Sequence, residues 1–124
     1  MKKIILSKNA PAPIGPYSQA VEANGFIFCS GQIPLDLAGN LIAGDAKVQA
    51  EQIMKNIEAV LTAAGVEFKN IIKTNIFLTD MKDFGAVNEV YGRFFKENPP
   101  ARSTIAVAAL PKGAQVEIEV TAIR

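Results

Sequence analysis

The segment from Val116 to Ile123, near the end of the chain, alternates with a period of two. Val116, Ile118, Val120 and Ala122 interleave with Glu117, Glu119, Thr121 and Ile123. Such alternation is the mark of a β-strand with one face toward a core and the other toward something more polar. A second strand-like run, Arg102 to Ala109, precedes it across a Pro111-Lys112-Gly113 turn. The pair commits the chain to a sheet that must bury one face. It also places one arginine, Arg102, and one glutamate, Glu117, in apolar surroundings. A guanidinium there is a grip for a carboxylate, and a carboxylate there can serve as a base. If both point into one cleft, the chemistry is that of a small organic acid.

The remaining elements follow from local signals. Lys3 to Leu6 reads as a short edge strand, and Asn9 to Pro16, with three prolines and a glycine, as an ordered loop. Gln19 to Ala23 and Phe26 to Ile33 flank Asn24-Gly25, a two-residue hairpin signal. Pro34 to Gly44 is turn-rich. Asp45 can cap a helix that runs to about Ala64, with Ile53, Ile57, Val60, Leu61 and Ala64 on one face and Gly65 as its left-handed stop. Ile71 to Leu78 is a strand. Asp80 or Asp83 caps a second helix that Pro99 and Pro100 stop, with Phe84, Val87, Tyr91, Phe94 and Phe95 as its buried stripe. Arg102 to Ala109 and Gln115 to Ile123 complete the set. Hairpins need antiparallel pairing and the strand–helix–strand crossover needs parallel pairing. The expected fold class is therefore α+β: one domain over residues 1–124, a mixed sheet with two helices on one face. No helix is left for the opposite face, which is expected to meet another subunit.

Composition removes several kinds of chemistry. Histidine is absent, which excludes His-based triads, His metal sites and imidazole acid–base work. The single cysteine, Cys29, excludes an internal disulfide and reads as a small buried hydrophobe. There is no Asp-x-Asp loop to argue for a carboxylate metal site. Net charge is +1 with no basic tract, so nucleic acid is not the favoured partner. Lys8 interrupts the apolar start too soon for a signal peptide, and no stretch approaches the ~20 residues of a membrane span. A cytoplasmic location is expected. Hydrophobic residues make up 49% and charged residues 20%, against about 25% charged in an average domain, so subunit contacts are expected.

Five segments in order carry a resemblance: Ile14-Gly-Pro-Tyr-Ser-Gln, Ser30-Gly-Gln-Ile-Pro, Asn88 within the second helix, Pro100-Ala-Arg-Ser, and Val116-Glu-Ile-Glu. Together they resemble the reactive intermediate deaminase family, also called YjgF-like, over essentially the whole length. The resemblance implies a chorismate-mutase-like fold, a homotrimer with its helices outside, and clefts between subunits. It implies hydrolysis of 2-imino acids, 2-iminopropanoate and 2-iminobutanoate, to 2-keto acids and ammonia, with no metal and no organic cofactor. Arg102 matches the arginine that binds the substrate carboxylate, and Glu117 the glutamate that holds a water. Tyr17, Ser30, Gly31 and Asn88 match residues lining the pocket. Thr104 stands where the family commonly has cysteine. The family's contact there is a backbone N–H, which threonine keeps.

Each of these residues also has a plainer reading. Arg102 alone would be an ion-pair partner at a strand start. Glu117 would be a solvated face residue like Glu119, which projects to the same side. Asn88 would bond a neighbouring loop backbone. Tyr17 would pack on the core, and Ser30 and Gly31 would serve a turn. Three rival functions stand beside the deaminase: a keto-acid sensor without turnover, an RNA-cleaving protein, and a structural trimer.

Overall fold

The computed structural model describes residues 1–124. The elements, in chain order, are β1 (Lys3–Ile5), β2 (Ala20–Ala23), β3 (Phe26–Cys29), α1 (Ala46–Ala64), β4 (Ile71–Leu78), α2 (Phe84–Gly92), β5 (Ala101–Ala106) and β6 (Val116–Ile123). The strands form one six-stranded sheet in the order β1-β2-β3-β6-β4-β5. Pairing is antiparallel throughout except between β4 and β5, which are parallel and joined through α2. The expected α+β architecture, a mixed sheet with two helices, is present.

Local chemistry explains the element boundaries. Asn24 and Gly25 both adopt positive φ, 52° and 81°, which is what a two-residue turn matched to strand twist requires. The Asp45 carboxylate accepts from the Val48 N–H at 3.0 Å and starts α1. Gly65, at φ 78°, ends it and donates to Leu61 and Thr62. One expectation needs correction. The second helix stops at Gly92 rather than continuing toward Pro99. After Val90 the backbone tightens into successive i→i+3 bonds, from Arg93 to Val90 and from Phe94 to Tyr91. The turn swings Phe94 and Phe95 against Phe68, with ring centroids 4.9 and 5.8 Å away. Aromatic packing on the core thus ends the helix before proline does.

The core lies between the inner sheet face and the helices. Ile53, Ile57, Val60 and Leu61 from α1 meet Val116, Ile118, Val120 and Ala122 from β6, all buried. Fully burying a side chain such as Ile53 contributes about 1.5–3 kcal/mol. The outer sheet face has no covering layer. Ile4, Phe28 and Ile105 there are 54%, 48% and 50% exposed, and the Phe26 and Phe28 rings stack at 6.1 Å. No helix is long and apolar enough to cross a membrane.

Candidate functional site

Strand register decides which predicted residues meet. Arg102 stands opposite Thr74, and Thr74 opposite Val120. Thr74 and Val120 are buried beneath the helices, so Arg102 is on the inner, helix-covered face. Glu117 stands opposite Phe77, and Phe77 opposite Ile105. These are the odd neighbours of Val116, Leu78 and Ala106, and they project to the outer face. Within one chain, therefore, Arg102 and Glu117 lie on opposite sides of the sheet. The expectation that both point into one cleft is not met by a single protomer.

The inner half is built around Arg102. Its Nη1 donates to Asn88 Oδ1 at 2.7 Å, and its guanidinium carbon lies 5.0 Å from the Tyr91 ring centre and 5.6 Å from that of Phe84. Asn88, Phe84 and Tyr91 share one face of α2, so the helix presents an amide and two rings to the guanidinium. Tyr91 is held in turn by a 2.8 Å bond between its hydroxyl and that of Thr74. Burial pushes the Tyr91 phenol up, which keeps it neutral beside the cation. The chain contains three arginines. Arg93 pairs with Glu51 at 2.8 Å and Arg124 with Glu22 at 2.8 Å. Arg102 makes no salt bridge in the chain; its partner is a neutral amide. This answers the plainer readings of both residues: Arg102 is no structural ion pair, and Asn88 bonds Arg102 rather than a loop backbone.

The outer half gathers Tyr17, Ser30, Gly31, Glu117 and Glu119 around a cleft of about 390 Å³. A bridge between Gln32 and Ile118, with N–H donors at 2.8 and 3.1 Å, lays the chain after β3 along β6. Buried Asn56 on α1 donates to the Leu35 carbonyl at 3.1 Å, and Gln49 accepts from Gln115 N–H at 2.8 Å. These bonds anchor both segments that form the cleft. Gly31 then sits against Glu117. A Cβ added there would stand 2.8 Å from Glu117 Cδ and clash with Oε2 as well. Glycine is needed at position 31 for the carboxylate to lie where it does, which is more than a turn requires. Burial, followed by the neighbouring Glu119 charge, holds the Glu117 carboxyl above the usual range. Glu119 is held by Asn75, which donates to it at 2.8 Å.

Tyr17 is 48% exposed, so it does not pack into the core. Its hydroxyl oxygen accepts from Ile14 N–H at 3.2 Å. The loop beneath it is fastened by the buried Gln19, whose side chain accepts from Ser7 N–H and donates to the Pro11 carbonyl at 2.9 Å. Ser30 fastens it again by donating its hydroxyl to the Ser18 carbonyl at 2.6 Å. Ser30 thus lines the cleft while its hydroxyl proton holds the Tyr17 loop. Thr104 lies on the inner face, opposite Ile76, two residues beyond Arg102. Cys29 stays outside the site, and burial pushes its thiol up to about 12.

Sequence reasoning missed Tyr91 and Phe84 as a cradle for Arg102; it set Glu119 on the same side as Glu117 but did not assign it to the cleft. The helical spacing of Phe84, Asn88 and Tyr91 was visible in the sequence. That an arginine from a later strand crosses that face was not. A larger groove of about 500 Å³, between the loop after β1 and α1, contains Lys8, Lys55 and Glu58 and none of the predicted residues. Its one carboxylate, Glu58, is exposed, whereas Glu117 in the smaller cleft is half-buried, so the chemistry points to the smaller cleft.

Comparison with known proteins bears on these halves. The sequence pattern of the family described as Endoribonuclease L-PSP matches residues 7–124. The 2-iminobutanoate/2-iminopropanoate deaminase of Mus musculus is 47% identical over 125 residues, spanning 100% of this chain and 93% of the relative. A crystal structure from Yersinia pestis, described as a protein of the conserved Rid protein family, is 49% identical with a TM-score of 0.96 and covers 100% of both chains. The E. coli protein TdcF, solved with bound serine, is 42% identical with a TM-score of 0.93 and covers 98% of both chains.

Proposed function

The chain belongs to the family described as Endoribonuclease L-PSP, the reactive intermediate deaminases its motifs resemble, and from that premise we propose that it hydrolyses small 2-imino acids to 2-keto acids and ammonia. The observation that carries the reading is Arg102: a guanidinium cradled by two aromatic rings and one amide, with no anion of its own. Such a group is complementary to a small carboxylate, which its planar fork can take bidentately. The relative solved with serine supports an amino-acid-sized ligand.

Glu117 supplies the second group. Its raised pKa makes it a stronger base than a free carboxylate. The site forms between two copies of the chain, with Arg102 of one facing the Glu117 cleft of another, as the family's homotrimer implies. The uncovered apolar outer face that carries Glu117 supports that assembly. In the reaction, Glu117 takes a proton from water as the water oxygen bonds to the imine carbon. The C=N π pair moves to nitrogen, which is protonated. The carbinolamine then loses ammonia as its O–H proton passes, by way of Glu117, to the departing nitrogen and the C=O forms. Imines hydrolyse unaided, so positioning and one base suffice.

RNA cleavage, the activity in the family's description, fits less well. The cleft carries two carboxylates, Glu117 and Glu119, which repel phosphate, and net charge is only +1. The test generates 2-iminobutanoate with a threonine dehydratase and follows keto-acid release. Wild type should accelerate it, and Arg102→Ala should lower kcat/KM by about a hundredfold or more. Wild type no faster than Arg102→Ala would reject the reading.

A further inference from the structure

The Thr104 hydroxyl oxygen is buried and has no hydrogen-bond partner, and it is the only such side-chain polar atom in the chain. Folded proteins rarely leave a buried donor unused. Its position narrows the reasons. Thr104 follows Arg102 by two residues on β5, so both side chains lie on the same face. β5 is an edge strand. Val107 N–H donates to the Leu78 carbonyl at 2.8 Å, and hydrogen bonding alternates along a parallel ladder. The odd residues of β5 therefore bond β4, and the N–H of Thr104 faces the open edge.

We propose that the Thr104 hydroxyl is a second donor to the carboxylate gripped by Arg102, acting beside the N–H of its own residue. Oγ1 and N of one threonine are three bonds apart, so both can address one acceptor atom. In the structure the hydroxyl is turned inward. Rotation about Cα–Cβ to another staggered well exchanges it with the methyl group. No hydrogen bond is broken by the turn, because the inward hydroxyl makes none. The arriving anion gives the orphaned donor its partner. A residue that lacks the hydroxyl keeps the backbone contact and loses this one.

The inference rests on the imino-acid reading, and the test separates the two. Thr104→Val keeps the shape and removes the hydroxyl; Thr104→Ser keeps the hydroxyl. Binding of 2-oxobutanoate, the keto-acid product, is measured by calorimetry beside the coupled imine assay. Thr104→Val should raise KM and the keto-acid Kd about tenfold, with kcat changed less. Thr104→Ser should bind within about threefold of wild type. The Tm of Thr104→Val should equal or exceed that of wild type, since an unpartnered buried hydroxyl is gone. Should the valine variant not fold, Thr104→Ala against Thr104→Ser carries the same comparison, because both lack the methyl and only serine has the hydroxyl. An active wild type whose Thr104→Val binds as tightly as wild type overturns the Thr104 assignment and leaves the deaminase reading standing. So does a variant that loses Tm without losing affinity. A wild type with neither turnover nor keto-acid binding removes both.

Discussion

The two halves of the site are built by different means. Around Arg102 the chain uses a helix face: Asn88, Phe84 and Tyr91 lie within two turns of α2 and hold one guanidinium from above. Around Glu117 it uses loops pinned to strand edges: Gly31 is set against the carboxylate by a bridge from Gln32 to Ile118, and Tyr17 stands on a loop tied down by Gln19 and Ser30. The first half favours a charged group by surrounding it with π-faces and an amide dipole. The second penalises a charged group by burial and a like-charged neighbour. One side keeps its ion and lacks a counter-ion; the other is driven toward accepting a proton. The proposed hydrolysis of a carboxylate-bearing imine would use both, and the sheet separates them within a protomer.

The sharpest way to break this comparison is to divide the halves between chains. Arg102→Ala and Glu117→Ala should each be inactive. If both are unfolded together in equal amounts and reassembled, the proposed shared site takes Arg102 from one copy and Glu117 from another. Random mixing then restores about a quarter of the sites, a gain over either parent of roughly twenty-five-fold or more in kcat/KM. Continued inactivity of the mixture would show that the halves do not complement each other across chains.

A smaller effect tests the loop-built half. Gly31→Ala puts a methyl where Glu117 now lies, and the flexible carboxylate is what must move. Activity should fall about ten- to a hundredfold with the fold intact, measured by turnover beside circular dichroism. Unchanged turnover would mean that the observed carboxylate position is unimportant. The smallest effect is on stability. The Glu117 carboxyl titrates above its usual range, so the native state holds that proton more tightly than the unfolded chain. Its contribution is fully present below the ordinary carboxylate pKa and is lost as pH rises through the raised value. Glu117→Gln removes the dependence. Its Tm should exceed that of wild type slightly at neutral pH, and the difference should shrink as pH falls through the carboxylate range. A variant less stable at neutral pH would contradict a burial-dominated shift.

Most elements were legible because their signals are local. The Asn24-Gly25 turn, the Asp45 cap, the Gly65 stop, β4 and the alternation of β6 each depend on a few neighbouring residues. The end of α2 was not, since Phe94 and Phe95 leave the helix to reach Phe68, a residue far away in sequence. Arg102, Glu117, Gly31 and Asn88 were identifiable as residues through motifs. Their partners were not: the bond from Arg102 to Asn88 and the contact of Gly31 with Glu117 each join separate elements.

By itself the sequence determined the inventory: a two-helix mixed-sheet domain, no imidazole, a strand with two faces, and one arginine and two glutamates in strand-like apolar runs. Only the tertiary structure decided which face each belongs to. Side-chain direction along one strand follows from a period of two, but the parity between two strands depends on pairing. Neither β5 with β4 nor β6 with β4 is paired by anything within its own segment. That register puts the guanidinium under the helices and the carboxylate on the open side. It is set by which apolar residues fit together in the core.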